Sequence, residues 1–483
     1  MGFRRRHGGR AALVAILAVA ALGGTAACGT EKTAGQPRTV GDVAGLPVTH
    51  FESGLKPTAP DPGIEVRGVT ESEEDTIATA AIADVSAYWS EHLPSVFGQQ
   101  FEPVKALLSY DPSGKAIDVC GASTRDAMMN AFYCPPEDLV AWDRRQLLPL
   151  LRERFGPMAI VTVLGHEYGH AIQYRLGAKA GIDKSTTTIV KEQQADCFTG
   201  GYFRWMAEDR SQYFTVSTSE GLNQVLASMF FIRDQAGQSA RDPGAHGTAF
   251  DRTFAFQLGF EDGPAACAKI DQAEVDSRIT EQPFHSGDKG EGDTRIDAKA
   301  IGHLQQSLDQ AFSEAGVLAP RIADDGGSCP NGPSTPPASY CVDTNTVSID
   351  LAALAELGQP VDREAEFRGR ETTGIGDFAA FAEIASRYTQ GIQHGVGAEL
   401  DNANAGLRTA CLVGAWAGAT NTDGNNLRLS PGDLDEAIAE LLQPKSLIAA
   451  DVNGIPVASG FARVAALRTG YLEGSVPCST NYG

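Results

Sequence analysis

The residues best placed to do chemistry lie in Leu164-Gly165-His166-Glu167-Tyr168-Gly169-His170, where two histidines four positions apart enclose a glutamate. On an α-helix, positions i and i+4 share a face, so His166 and His170 can offer two imidazoles to one ion. Glu167 points about 100° around the helix. In an H-E-x-x-H arrangement that glutamate stands beside the attacking water as general base. A catalytic zinc takes three protein ligands and keeps a fourth position open. Twenty-two residues after His170 comes Glu192, followed by Asp196, again i and i+4 on a predicted helix. Glu192 is the expected third ligand. Asp196 is expected to accept a hydrogen bond from the remote ring nitrogen of His166, which fixes the tautomer and raises ligand basicity. Without the histidine pair, Glu192 and Asp196 would read as a solvated acidic face.

These groups need rigid elements beneath them. Met158 to Leu164 is almost wholly apolar, and the helical pattern continues through Ala171, Ile172 and Tyr174. A long helix is predicted around Ile77 to Phe97, then a cysteine hairpin, a strand and a cluster of helices. The strand at Leu139-Val140-Ala141-Trp142 reads equally as a core strand or as one that pairs with an extended peptide. His246 and Tyr202 are candidates to stabilise an oxyanion, with His246 preferred as the second catalytic residue after Glu167. Arg252 reads as structural. His50, His92, His285, His303 and His394 have no partner spacing and read as surface or cap residues.

The chain matches itself in three collinear blocks. Tyr133-Cys134 and the residues after it match Tyr340-Cys341. Residues 159–177 align without gaps to 379–397, and 250–267 align to 461–478. The implied organisation is a leader (1–27), a tether (28–63), a first domain (64–275) and a second, related domain (276–483). In the second copy His166, Glu167 and His170 become Ser386, Arg387 and Gln390, so one zinc per chain is expected, in the first domain. Phe250 and Arg252 match Phe461 and Arg463, and His246 becomes Val457. Each domain carries four cysteines in the same order. Pairing of near neighbours gives Cys120–Cys134, Cys197–Cys267, Cys329–Cys341 and Cys411–Cys478.

The ninth cysteine, Cys28, follows Arg4, Arg5, Arg6, Arg10 and an apolar run from Ala11 to Leu22. Twelve apolar residues are too few to span a bilayer about 30 Å thick, so this reads as an export signal. Small residues before Cys28 resemble a lipobox, which makes Cys28 the expected lipidation site and membrane anchor. An exported chain favours disulfides over reactive thiols. The formal charge of −22 excludes nucleic acid as a partner, since a polyanion repels an acidic chain.

Four stretches resemble the bacterial neutral zinc metallopeptidase family: CGASTRDAMMNAFYCPPEDLVAWD (120–143), HEYGHAIQ (166–173), EQQADCF (192–198) and AHGTAFDRTFAFQLGFEDG (245–263). The E-x-x-x-D spacing is also similar to that of thermolysin-like peptidases. The resemblance implies zinc ligands His166, His170 and Glu192, with Glu167 catalytic, and makes the second domain a degenerate copy. The expected fold is α+β, mainly helical, as two zincin-like domains packed as a pseudo-dimer, each with a cysteine hairpin and a small sheet. The expected function is that of an extracytoplasmic, membrane-anchored zinc endopeptidase, hydrolysing peptide bonds of peptide or protein substrates with a Glu-activated water at zinc. A non-catalytic binding or scaffolding lipoprotein is the competing reading. The second domain would cover the cleft, recruit an envelope protein partner, or stabilise the first domain; the sequence leaves these open.

Overall fold

The computed structural model describes residues 42–281, 283–284, 294–362, 365, 373–420 and 427–483. The leader, Cys28 and His285 lie outside the described residues. Helix α1 (Glu73–Phe97) begins a turn before the predicted start. Ser72 caps it by accepting the Asp75 N–H, and Glu73, Glu74 and Asp75 place negative charge on its N-terminal turn. Strands β1 (Ala106–Tyr110), β2 (Ala131–Cys134) and β3 (Leu139–Asp143) form a sheet in the order β1-β3-β2. β3 runs parallel to β1 and antiparallel to β2.

This topology decides between the two readings of residues 139–142 in favour of the core strand. Every residue of β3 is buried, and both of its edges are already hydrogen-bonded. Its apolar run is a core strand, and the edge strands are β1 and β2. Trp142 Nε1 and Ser109 Oγ both donate to Asp75 Oδ1, at 3.0 and 2.7 Å, which locks the sheet to α1.

Four helices carry most of the remaining first half: α2 (Leu147–Phe155), α3 (Pro157–Leu176), α4 (Thr188–Ala207) and α5 (Glu220–Phe231), and α6 (Ala249–Asp262) closes it. Residues before 64 are not all tether. Gly54-Leu55 pairs antiparallel with Phe214-Thr215, Thr49 bonds Thr218, and Val43 is buried. Backbone pairing and a buried valine dock this segment, so residues 42–55 are part of the fold.

The second half begins with α7 (Ala298–Ala311). Its sheet, β4 (Arg321–Asp324), β5 (Ala338–Cys341) and β6 (Thr346–Ile349), has the order β4-β6-β5, again with one parallel and one antiparallel pair. Helices α8 (Asp377–Gly395), α9 (Ala405–Thr420), α10 (Asp433–Leu441) and α11 (Gly460–Glu473) follow. In each half two helices cross at glycine. A Cβ on Gly259 would lie 1.7 Å from the Cys197 carbonyl oxygen, and one on Gly470 would lie 1.8 Å from that of Cys411. All four disulfides pair as expected.

The two halves pack closely against each other. They form one compact unit with a continuous hydrophobic core. They also cap each other's helices. Asp435 accepts the Phe250 N–H at the start of α6 (3.0 Å), and Asn223 accepts the Gly460 N–H at the start of α11 (2.6 Å). A helix leaves its first N–H groups without internal partners, and here the opposite half satisfies one of them in each direction.

Candidate metal centre

Helix α3 starts at Pro157, which suits a first helical position because no N–H is needed there. Its apolar N-terminal half is buried, which holds the following turns rigid. Gly169, inside the motif, sets the distance to α4. A Cβ there would stand 3.1 Å from Ala195 Cα, too tight for a larger residue without displacement. The absence of that atom lets α4 close onto α3 at Ala195, three residues after Glu192 and one before Asp196.

The consequence is convergence. One ligand atom each from His166, His170 and Glu192 lies within 4.8 Å of the others. His166 Nε2 is 3.0 Å from Glu192 Oε2, and His170 Nε2 is 3.4 Å from Glu192 Oε1. The other nitrogen of each ring is turned away and held. His166 Nδ1 lies 2.7 Å from Asp196 Oδ1, and His170 Nδ1 lies 2.9 Å from Gln173 Oε1. Those bonds leave both Nε2 atoms directed at Glu192, the tautomeric arrangement metal-binding histidines need.

The electrostatics ask for a cation. Burial opposes charging His166, yet Asp196 and then Glu192 outweigh it and carry the ring's pKa up to about 10. Burial likewise opposes ionising Glu192, but the His170 and His166 rings hold its carboxyl well below the usual range. Two imidazoles and a carboxylate, with a second carboxylate behind, suit zinc by donor type and number. Glu167 stands apart from this set. Its Oε2 accepts the backbone N–H of Tyr133 in β2 at 2.9 Å. Burial raises its pKa and Glu192 adds to this, while the His166 and His170 rings pull it back.

Arg252, which the sequence reading took as structural, belongs to the centre. Its Nε and Nη2 bond the two oxygens of Asp196 at 3.0 and 2.9 Å, and both side chains are buried. Arg463 occupies the matching position in α11 and bonds backbone carbonyls of Leu441 and Gln443 instead. One residue type at one helical position thus serves two purposes, and only the neighbour at Asp196 separates them.

The remaining candidates have other partners. His246 is half exposed, and its Nδ1 lies 3.3 Å from Asp234 Oδ1. Its contacts run to Asp234 rather than to the three ligands. Tyr202 is fully buried with its hydroxyl donated to Asp84 Oδ2 at 2.7 Å, so it is a core residue. His50 is exposed beside Glu220, and His92 stacks on Tyr88. A second acidic group, Asp377, Asp433 and Glu436, also lies within 4.8 Å. It offers oxygen only and accepts backbone N–H groups of Thr294, Ser430 and Phe378, so it lacks the nitrogen ligands that suit zinc.

In the second half the matching cleft is filled. Arg387, at the position of Glu167, is fully buried and donates to carbonyls of Leu447 and Asp451 at 2.6 and 2.9 Å. Gln390 Nε2 bonds the Ala450 carbonyl at 3.2 Å. Counted back from Cys411 as Glu192 and Asp196 are from Cys197, the positions hold Gly406 and Ala410.

Comparison with known proteins agrees with the chemistry of the donor set. Uncharacterized proteins of Mycobacterium tuberculosis and Mycobacterium bovis are each 26% identical over 183 residues, 34% of this chain and 62% of theirs. The chain therefore spans less than two thirds of the length of these curated relatives. No solved structure matches it. Residues 42–270, which include every residue of the centre, match the family described as "Putative neutral zinc metallopeptidase".

Proposed function

We propose that this protein is an exported, lipid-anchored zinc endopeptidase whose chemistry resides in the first half. The observation that carries the reading is the convergence of His166, His170 and Glu192 beside a carboxylate that is not a ligand, Glu167. A purely structural zinc would not need Glu167 and would more commonly use cysteines. A zinc held by the three side chains supplies Lewis acidity toward the scissile carbonyl and acidifies water.

Glu167 acts as general base and then returns the proton to the leaving amine. Its bond to the Tyr133 N–H supports a role for the open edge of β2. An extended peptide pairing with that edge would present a carbonyl to Tyr133, release Glu167 to the water and align the scissile bond. Asp196 and Gln173 keep the two imidazoles in orientation. His246, braced by Asp234, is our candidate for a donor to the developing oxyanion. Cys28 anchors the chain on the extracytoplasmic face, and peptide or protein is the substrate.

We further propose that the second half is a duplicated, degenerate copy. The shared sheet order, the shared glycine crossings and the reciprocal helix caps support it. The test is elemental analysis with a cleavage assay on unfolded protein. One zinc per chain, lost in His166→Ala, with cleavage abolished in Glu167→Gln, is the expected result. Full zinc with no cleavage, and no difference in Glu167→Gln, would favour a scaffold. Two zincs would overturn the degenerate copy.

A further inference from the structure

We infer that the C-terminal half acts on the metal centre by positioning α6, the helix whose Arg252 holds the Asp196–His166 pair. This rests on the zinc reading above and assigns the ligand-free half a role in it.

The chain of contacts is continuous. Asp196 Oδ1 meets His166 Nδ1 at 2.7 Å, and Arg252 grips both oxygens of Asp196. A two-pronged guanidinium contact fixes the plane of a carboxylate as well as its position. The direction in which Asp196 aims at His166 therefore depends on where α6 sets Arg252. The setting of α6 is in turn referenced to the other half at several points. Two residues before Arg252, the Phe250 N–H donates to Asp435 Oδ1 at 3.0 Å. Five residues after it, Gln257 Nε2 donates to the Phe461 carbonyl at 2.8 Å, and Arg468 Nη1 donates to Gln257 Oε1 at 2.6 Å. The Phe260 and Phe461 rings pack with centroids 4.8 Å apart.

The magnitudes make this coupling effective. A helix rises about 1.5 Å per residue, whereas a good hydrogen bond spans a distance range of about 0.5 Å. A shift of α6 by a fraction of one residue would break the Arg252 fork. Fixing the helix on both sides of Arg252 prevents that shift. The isosteric comparison lies within the chain. Arg463, at the aligned place in α11, directs its hydrogen bonds to backbone carbonyls of its own half instead of forking onto a carboxylate. The reciprocal cap on α11 by Asn223 therefore has no metal centre to serve.

The experiment uses the mature full-length chain and zinc itself as probe, with affinity measured by competition against a chromophoric chelator. Thermal unfolding of the metal-free protein is recorded alongside. Arg252→Gln is expected to weaken zinc binding by about 10- to 100-fold, the usual effect of losing a partner behind a ligand. Asp435→Asn, which keeps shape and removes charge, is expected to weaken it by about fivefold, and Gln257→Leu similarly. The decisive readout is a double-mutant cycle. Asp435→Asn should have no further effect in the Arg252→Gln background. If Arg252→Gln fails to fold, Arg252→Lys, which keeps charge without the fork, replaces it in the cycle. Unchanged zinc affinity in both Asp435→Asn and Gln257→Leu would overturn the inference while leaving the zinc reading intact. So would full additivity with Arg252→Gln, or a loss of affinity that merely tracks the metal-free melting temperature. A wild-type chain that binds no zinc would instead overturn the reading on which the inference rests.

Discussion

Helices α3 and α8 each lie against the edge strand of a three-stranded sheet of the same order, and they solve the same packing problem with opposite chemistry. In α3, His166 and His170 turn toward Glu192 on a neighbouring helix that Gly169 allows to come close, while Glu167 accepts the Tyr133 N–H. In α8, Ser386, Arg387 and Gln390 occupy the matching turns, Thr389 stands where Gly169 would be, and Arg387 reaches into the loop at 447–451. A buried arginine satisfied by carbonyls needs no cation to complete it. A buried set of imidazoles and carboxylates is costly unless a cation completes it. The difference teaches that the frame is indifferent to the site. Five or six side chains decide whether a cleft is a reaction centre or a core.

The largest effect that would test this contrast is on turnover. Glu167→Gln is expected to lower peptide hydrolysis by about 10²- to 10⁴-fold, the usual share of a general base, with zinc content unchanged by elemental analysis. A matching loss of zinc would mean that Glu167 is a ligand. Next come the disulfides, where the halves should behave alike. Cys197–Cys267 and Cys411–Cys478 close loops of 70 and 67 residues. Chain-entropy reasoning gives about 4 kcal/mol for each, against about 3 kcal/mol for the short hairpin bonds. Denaturant unfolding of the paired Cys→Ala variants checks this, and markedly unequal costs would break the equivalence of the halves.

Arg387→Met is expected to cost about 3 kcal/mol in the same measurement, because the carbonyls of Leu447 and Asp451 lose buried donors. Zinc content should not change. Destabilisation without chemistry in α8, and lost chemistry with little destabilisation for Glu167→Gln in α3, is the crossed pattern that the comparison demands.

The smallest effect concerns pH. Burial raises the Asp84 pKa to about 6, although Tyr202, Ser211 and Lys56 act to lower it. Folding therefore favours its protonated form. That stabilising contribution is complete below about pH 4 and is lost as pH rises through about 6, a change on the order of 2 kcal/mol. At the matching place in the second half Trp416 donates to Ser307 Oγ, which does not titrate. Asp84→Asn should flatten the stability profile between about pH 4 and pH 6. An unchanged slope would remove Asp84 as its source.

Much of this was legible in the amino-acid order. Helical periodicity made His166 and His170 neighbours, and the E-x-x-x-D spacing proposed Glu192 and Asp196. The cysteines pair as the repeated order implied. These readings succeed because they depend on local geometry or on comparison of the chain with itself. Residues 139–142 stayed open between a core strand and a strand for substrate because an apolar run is compatible with either, and only β1, which lies upstream and takes the second edge, decided for the core. Residues 42–55 looked like tether by composition, yet they pair with 214–218, far along the chain.

Arg252 shows most clearly what tertiary structure alone decides. Its retention as Arg463 made a structural role the natural reading, and the sequence holds no signal of which acceptor a buried guanidinium will meet. That acceptor depends on how closely α6 crosses α4, on Gly259 at the crossing, and on a cap supplied from 183 residues beyond Arg252 by Asp435. The amino-acid sequence by itself determined which residues are able to do metal-binding and acid–base chemistry, because those properties belong to side chains and to the pitch of one helix. The tertiary structure decided which of them converge and what holds them in place, because a hydrogen bond is set to within tenths of an ångström by packing between elements distant in the chain.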